Sequence, residues 1–239
     1  MKPKTTIGVI GAMDSEMEAL YSLLSNAESV RIADLIFYSG ETSDKKLVMV
    51  KSGIGKVNAS RCTQLLIDLF HPDYIINSGI AGGIDESLSV GDVVIGEELV
   101  QHDFDVTAFG HAKGYLCTGE RDDAPTVFRS DKKLVCLLES SAKKADVSGK
   151  VRTGRIASGD IFVADRTRKE SISHEFKAIA AEMEGAAIAQ TAAYAGILFA
   201  VLRVISDQAD GEAAESFELF EKQTAELSSA VIQNLINSL

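Results

Sequence analysis

The stretch Ile197-Leu-Phe-Ala-Val-Leu-Arg-Val-Ile205 is a continuous apolar run that only Arg203 interrupts. Apolar residues at odd and even positions alike predict a strand that is covered on both faces of a sheet. From Gly185 to Leu202 the chain carries no charge, and this length raises the question of a membrane span. The mid-segment Gly196 and the polar residues before it favour a buried helix, a stop at the glycine and a buried strand.

Strands and helices alternate along the rest of the chain. Further apolar strands are predicted at residues 7–10, 74–78, 93–100, 151–158 and 178–183, and residues 35–51 are predicted to form a hairpin. Helices are predicted at residues 13–24, with Asp14 or Ser15 as the N-cap, at 53–70 and 132–144, from 184, and over the amphipathic C-terminal segment. Residues 102–127 form a long irregular stretch, which is typical of functional or mobile loops. The alternation predicts one α/β domain over residues 1–239 with a mixed, largely parallel sheet.

Composition and charge exclude several classes of protein. The 239 residues are 46% hydrophobic and 25% charged, which is ordinary for a globular domain. A net charge of −11, with lysines and arginines scattered along the chain, argues against nucleic acid and membrane surfaces as partners. Three widely spaced cysteines fit neither a disulfide framework nor a zinc site, and their odd number favours the reducing cytoplasm.

Standard cofactor and hydrolase motifs are absent from the sequence. There is no Gly-x-x-x-x-Gly-Lys-Ser/Thr, His-Glu-x-x-His, Gly-x-Ser-x-Gly or Cys-x-x-Cys. Gly53-Ile-Gly55 follows a predicted strand and opens a helix, but the third glycine of a dinucleotide fingerprint is missing. A tight strand-to-helix turn is the favoured interpretation, and we expect no cofactor and no metal.

Acidic residues follow several of the predicted strands. Glu16 lies just past the first strand, Glu182 and Glu184 flank Met183 after another, and Asp207 ends the apolar run. Taken singly, each is most simply a helix cap or an acid of a first helical turn. The carboxyl ends of parallel strands meet at one edge of a sheet, where ligands bind. Together the acids therefore predict paired acid–base chemistry at that edge.

Seven motifs in a fixed order carry a resemblance over nearly the whole chain. They are Gly11-Ala-Met-Asp-Ser-Glu16, Lys51-Ser-Gly-Ile-Gly-Lys-Val57, Asn77-Ser-Gly-Ile-Ala-Gly-Gly83, Asp103-Phe-Asp-Val-Thr-Ala-Phe-Gly110, Ser158-Gly-Asp-Ile-Phe162, Ala181-Glu-Met-Glu184 and Arg203-Val-Ile-Ser-Asp207. The sequence closely resembles the bacterial 5′-methylthioadenosine/S-adenosylhomocysteine nucleosidases of the purine nucleoside phosphorylase-like superfamily. This resemblance implies a three-layer α/β/α domain, a homodimer, and hydrolysis of these nucleosides and of 5′-deoxyadenosine in methionine salvage and methyl-cycle clearance.

The resemblance also implies roles for individual residues. Asp207, supported by Ser206, would be the general acid at N7 of adenine, and Glu16, helped by Arg203, would activate the water. Glu184 would accept hydrogen bonds from the ribose hydroxyls. The implied substrate-binding residues are Ile54, Ile80, Ala81, Gly82, Phe162, Val163, Glu182, Met183 and, across the dimer interface, Phe109. From the sequence alone, Phe109 could equally cover the core of its own subunit.

Other activities on the same fold would require other residues in these motifs. A phosphorylase needs arginines to hold a phosphate dianion, and the Gly11–Glu16 motif has none, while Asn77 stands where phosphorylases tend to carry one. A 6-amino-6-deoxyfutalosine nucleosidase would differ only in the pocket for the 5′ group. A non-catalytic nucleoside-binding protein should have lost an acid, and none is lost. Ile80 and Cys117 depart from the residues common in the family, which affects the expected 5′ specificity more than the reaction.

Overall fold

Strands and helices alternate in the computed structural model, which describes residues 4–24, 26–41, 44–119, 121–145, 147 and 149–239. The strands are β1 (Thr5–Gly11), β2 (Glu28–Ile32), β3 (Leu35–Glu41), β4 (Lys45–Lys51), β5 (Tyr74–Gly83), β6 (Val93–Gln101), β7 (Phe128–Arg129), β8 (Val151–Ser158), β9 (Ala180–Glu182) and β10 (Leu198–Asp207). The α-helices are α1 (Asp14–Tyr21), α2 (Lys56–Phe70), α3 (Lys132–Lys144), α4 (Arg166–Phe176), α5 (Gly185–Tyr194) and α6 (Ala213–Ser238). Residues 1–3 of the predicted domain and 42–43 of the predicted hairpin lie outside the described residues.

Most elements lie where the sequence predicts them, and the exceptions have physical causes. The predicted strand at 74–78 continues to Gly83, because its glycine-rich end pairs with β10 and with β9. The helix α4 has no counterpart among the predicted elements, since it is mostly polar and buries only Ile172 and Phe176. The strand β2 was also not predicted, because it is a short edge strand whose residues are mostly exposed.

The sheet is mixed, and its centre is parallel. The pairings that join β4, β1, β5 and β10 in that order are all parallel. The strand β10 also pairs antiparallel with β6, which continues through β8 and β9 back to β5, so these five strands close into a ring. On the other side, β3 and β2 extend the sheet antiparallel. The carboxyl ends of β1, β5 and β10 consequently meet at one edge.

Two hydrophobic cores lie on opposite faces of this sheet. Helices α2 and α5 pack on one face, where Leu66 and Ile188 join the buried side chains of the strands. Helices α1, α3 and α6 cover the other face with Met17, Leu134 and Val231 among their buried residues. The arrangement confirms the predicted α/β fold with helices on both faces of the sheet.

The charge-free stretch that ends in β10 folds as predicted, into a helix, a stop at the glycine and a strand. The helix α5 ends at Tyr194, Gly196 adopts a positive φ of 71°, and β10 begins two residues later. Within the described ranges, no helix is both long and apolar enough to cross a bilayer.

Candidate active site

A cavity opens at the carboxyl ends of β1, β5, β9 and β10. Its lining combines acidic, small and aromatic residues drawn from distant parts of the chain. The described lining residues are Ala12, Met13, Glu16, Ile54, Ile80, Ala81, Gly82, Phe162, Ala181, Glu182, Met183, Glu184, Ser206, Asp207 and Phe217. The sequence prediction that strand-end acids meet at one edge therefore holds in the structure.

Glu16 lies in the first turn of α1, and its side chain folds back over the start of that helix. Its Oε2 accepts hydrogen bonds from the backbone N–H of Ala12 at 2.6 Å and of Met13 at 3.1 Å, and its Oε1 accepts one from Ile80 at 3.1 Å. The predicted caps Asp14 and Ser15 are wrong, because Glu16 itself bonds the free N–H groups that precede the helix. Burial raises the pKa of Glu16, and the charge of Arg203 and these N–H groups oppose that rise.

Arg203 lies beneath the cavity and does not line it. Its fully buried guanidinium donates to Oδ1 of Asn77 at 2.6 Å, to the carbonyl of Leu202 at 2.9 Å and to Oε2 of Glu182. Glu182 also accepts hydrogen bonds from Ser158 Oγ and from two backbone N–H groups at the start of α5. The positive charge is thus compensated inside the protein, and Arg203 acts on the neighbouring carboxylates through space.

Glu184 reaches the cavity from the N-terminal end of α5. Its Oε1 accepts a hydrogen bond from the N–H of Gly55 at 2.9 Å, while Oε2 lies 3.9 Å from Nη2 of Arg203. Gly55 has a φ of 98°, a value that favours glycine, so the turn before α2 is shaped to present this N–H. Burial and the nearby charge of Glu182 raise the pKa of Glu184 to about 8.

Asp207 ends β10 and is 1% exposed. Its Oδ2 accepts a hydrogen bond from Ser206 Oγ at 2.8 Å, and its Oδ1 accepts one from the N–H of Ala209 at 2.8 Å. Burial is the main reason that the pKa of Asp207 is raised. A carboxyl group with a raised pKa, held in a fixed orientation at a cavity wall, is suited to donating a proton.

Glycine is required where the strand β5 passes the acids. A Cβ at Gly79 would lie 2.6 Å from Oε1 of Glu16, and one at Gly82 would lie 2.8 Å from Oδ1 of Asp207. Both distances are shorter than van der Waals contact allows, so the two carboxylates sit directly against the backbone of one strand. The glycines of β5 therefore allow Glu16 and Asp207 to approach this strand closely.

Three of the sequence-predicted residues lie outside this lining. Arg203 is beneath it, and Val163 lines a small adjoining cavity that it shares with Asp207. Phe109 lies in a short 3₁₀ turn at Thr107–Phe109 and is 80% exposed, so it does not cover the core of its own chain. The other predicted residues come together around the cavity.

Four lining residues were missed by the sequence analysis: Ala12, Met13, Ala181 and Phe217. Phe217 projects from α6 and meets the ring of Phe162 edge to face, with 5.7 Å between ring centroids. Phe217 shares the apolar face of the C-terminal helix with Leu227 and Val231, and on such a face a cavity residue has the same periodicity as a core residue. Within the described ranges, no group of three or more His, Cys, Asp or Glu side chains is arranged to hold a metal ion.

Comparisons with known proteins agree on the family of the chain. Residues 6–237 match the model of the Phosphorylase superfamily. A 5′-methylthioadenosine/S-adenosylhomocysteine nucleosidase of Staphylococcus haemolyticus is 41% identical over 234 residues, which cover 98% of this chain and 100% of that protein. The chain belongs to this nucleosidase family.

Solved structures show how closely the family shares its backbone. The nucleosidase of Neisseria meningitidis, crystallised with methylthio-immucillin-A, has a TM-score of 0.92 and 40% identity, covering 98% of this chain and 100% of that chain. The futalosine hydrolase of Helicobacter pylori has a TM-score of 0.91 and 33% identity, covering 98% of each chain. The nucleosidase family and this hydrolase therefore have the same fold as the chain, which confirms the fold implied by its sequence motifs.

Proposed function

We propose that this protein hydrolyses the N-glycosidic bond of 5′-methylthioadenosine and S-adenosylhomocysteine, releasing adenine and the 5′-thio-substituted ribose. The observation that carries the proposal is the pair of buried carboxyl groups of Glu16 and Asp207, which line one cavity from different strand ends. Cleaving a bond between a sugar and a purine requires an acid for the leaving base and a base for the attacking water. The nucleosidase family supplies the class of substrate.

Asp207 is proposed as the general acid. Without a proton the purine would leave C1′ as an anion, so protonation at N7 lowers the barrier to cleavage. Because the pKa of Asp207 is raised, its carboxyl group keeps this proton at a pH nearer to neutral than an exposed aspartate would. Ser206 and the N–H of Ala209 fix the direction in which the carboxyl group points.

Glu16 is proposed as the base that activates water. Two N–H groups occupy its Oε2, whereas Oε1 accepts a single hydrogen bond from the described residues, that of Ile80, so Oε1 keeps a lone pair for a water proton. Its raised pKa makes the ionised carboxylate a stronger base. Arg203 is then a positioning residue, which favours the ionised form of Glu16 without touching the substrate.

The remaining lining residues fit a nucleoside. Glu184 lines the cavity, and its Oε2, which has no backbone partner in the described part of the chain, is proposed to accept the ribose hydroxyls. Phe162 and Phe217 offer aromatic rings for the purine, and the missing side chain at Gly82 lets a flat base approach the backbone. Val163, in the adjoining cavity, is proposed to contact the base from the same loop as Phe162.

Water rather than phosphate is the proposed acceptor of the ribosyl group. The described lining of the cavity holds four acidic side chains and neither an arginine nor a lysine, and Arg203 is already paired with Glu182. A phosphate dianion would therefore find no unpaired positive charge in the described lining to bind it. The test is the release of adenine from 5′-methylthioadenosine in phosphate-free buffer, with the sugar product identified by mass. We expect full activity and a free thio-ribose; activity that depends on added phosphate, with a ribose 1-phosphate product, would replace this proposal with a phosphorylase.

A second candidate substrate is 6-amino-6-deoxyfutalosine. The futalosine hydrolase of Helicobacter pylori shares the fold at 33% identity. Hydrolysis of 6-amino-6-deoxyfutalosine would differ from that of 5′-methylthioadenosine in the group attached at the 5′ position. Comparing kcat/KM for the two nucleosides in one assay decides between them. A value for 5′-methylthioadenosine that is the lower of the two would make futalosine-type hydrolysis the main activity.

We also propose that the protein is a cytoplasmic homodimer. Phe109 is exposed, as are Val57 on α2 and Tyr194 on α5, and a second copy would bury these apolar side chains. Phe109 of the partner subunit would then close the thioalkyl side of the cavity. The cysteines Cys62, Cys117 and Cys136 are free, which supports a reducing compartment. Sedimentation at micromolar concentration should give a dimer; a fully active monomer would contradict the shared pocket.

A further inference from the structure

The segment after Asp207 forms a tight turn that holds its carboxyl group. Ala209 is fully buried and has a φ of 50°, a left-handed conformation that is uncommon for alanine. Its N–H donates to Oδ1 of Asp207 at 2.8 Å. The orientation of the carboxyl group therefore depends on the conformation of residues 207–209.

Two contacts hold the middle of this turn from outside the cavity. Nζ of Lys169 donates to the backbone carbonyl of Gln208 at 2.6 Å. The side-chain amide of Gln208 donates to the carbonyl of Leu88 at 3.1 Å. Lys169 belongs to α4, and no described residue of that helix lines the substrate cavity.

The Lys169 ammonium also acts on Asp207 by its charge. It lowers the pKa of Asp207, whereas burial and the negative charge of Asp210 raise it. Among the other acidic groups, Glu182 on β9 shares the small adjoining cavity with Asp207, and Glu16 and Glu184 share the substrate cavity with it. The described residues of β5 beside Asp207, such as Ala81 and Gly82, are uncharged, so the charges that act on the carboxyl group come from these neighbouring segments and from α4.

We propose that Lys169 is a positioning residue for the catalytic acid: its ammonium anchors the Gln208 carbonyl and so keeps the Asp207 carboxyl group aimed into the cavity. This inference rests on the proposed function, because it takes Asp207 as the acid of the reaction. It assigns to α4, a polar helix outside the cavity, a part in the chemical step rather than in substrate binding.

The test compares Lys169→Met with a matched control on the same helix, Arg166→Met. Arg166 pairs with Glu170, its side chain is 81% exposed, and it has no described hydrogen bond to the Asp207 turn. For Lys169→Met we expect kcat to fall about tenfold, the loss expected for one charged hydrogen bond. KM should stay within about twofold, because the cavity lining is unchanged. The alkaline limb of the pH profile of kcat should move to higher pH, since a positive charge beside the acid is removed. Arg166→Met should match the wild type in all three.

Lys169→Arg keeps a positive donor and should restore the position of the alkaline limb and part of kcat. A thermal unfolding curve for each variant, including a Lys169→Gln variant, separates a folding defect from a catalytic one. Wild-type kcat and an unshifted limb in Lys169→Met would overturn the inference, and so would a rise in KM at constant kcat. If the wild type releases no adenine, or if Asp207→Asn stays active, the proposed function fails instead; an active wild type with an inactive Asp207→Asn leaves the Lys169 variants to decide this inference alone.

Discussion

Replacing Glu184 by glutamine should make the protein more stable, and increasingly so as the pH rises. Burial raises the pKa of Glu184 from its ordinary value of 4.5 to about 8. Between these two pH values the unfolded chain carries this group ionised while the folded chain keeps it protonated, so the folded state of the wild type loses stability with rising pH. Glutamine has the same shape and no charge, and its amide oxygen can still accept the hydrogen bond from Gly55.

The size of the effect follows from the change in pKa. At about 1.4 kcal/mol per pH unit, a rise from 4.5 to about 8 corresponds to at most about 5 kcal/mol. The difference in unfolding free energy between Glu184→Gln and the wild type should thus be smallest near pH 4.5, grow through neutral pH and level off above pH 8. The attraction of Arg203 for an ionised Glu184 is already contained in this value, because it lowers the pKa of Glu184 that burial and Glu182 raise.

The assay is urea unfolding at fixed protein concentration, without nucleoside, at several pH values between 5 and 9. Fixed concentration is needed because dimerisation would make the apparent stability depend on it. Glu218→Gln, at an exposed position of α6, is the matched control, because it makes the same substitution away from the cavity. A difference for Glu184→Gln that does not change with pH would show that Glu184 is ionised throughout this range, and the reasoning from burial would be refuted.

Four further substitutions test the site. Asp207→Asn and Glu16→Gln should each lower kcat by about 10²–10⁴-fold while leaving the circular dichroism spectrum unchanged; a variant that keeps a tenth of wild-type kcat removes its residue from the mechanism. Gly79→Ala should lower kcat about tenfold or more, because its Cβ would lie 2.6 Å from Oε1 of Glu16, whereas Gly211→Ala, with no atom within 4 Å, should keep wild-type kcat. Phe109→Ala should raise KM for 5′-methylthioadenosine more than for adenosine, and the difference should correspond to a loss of up to about 1–3 kcal/mol of binding free energy. Equal increases in KM for the two substrates would argue against a shared thioalkyl pocket.

Local periodicity was sufficient for the elements that bury a regular apolar face. The predicted helix at 132–144 and the predicted strand at 151–158 have the same bounds in the structure. The polar helix α4 was not predicted, because a helix that buries two side chains leaves no periodic signal in the sequence. The extension of β5 through its glycines was not predicted, because it is stabilised by pairing with β9 and β10, which are distant in sequence.

The sequence by itself determined the alternation of strands and helices and the placement of acids after strands, because both depend on neighbouring residues. Since parallel strands end at a common edge, Glu16, Glu184 and Asp207 could be expected to meet there. Only the tertiary structure decided that Phe217 joins them, that Arg203 is paired with Glu182 beneath the cavity, and that Lys169 holds the Asp207 turn. These features arise between segments far apart in the chain, where burial and the charges brought alongside set the pKa of each carboxyl group, and no local pattern encodes them.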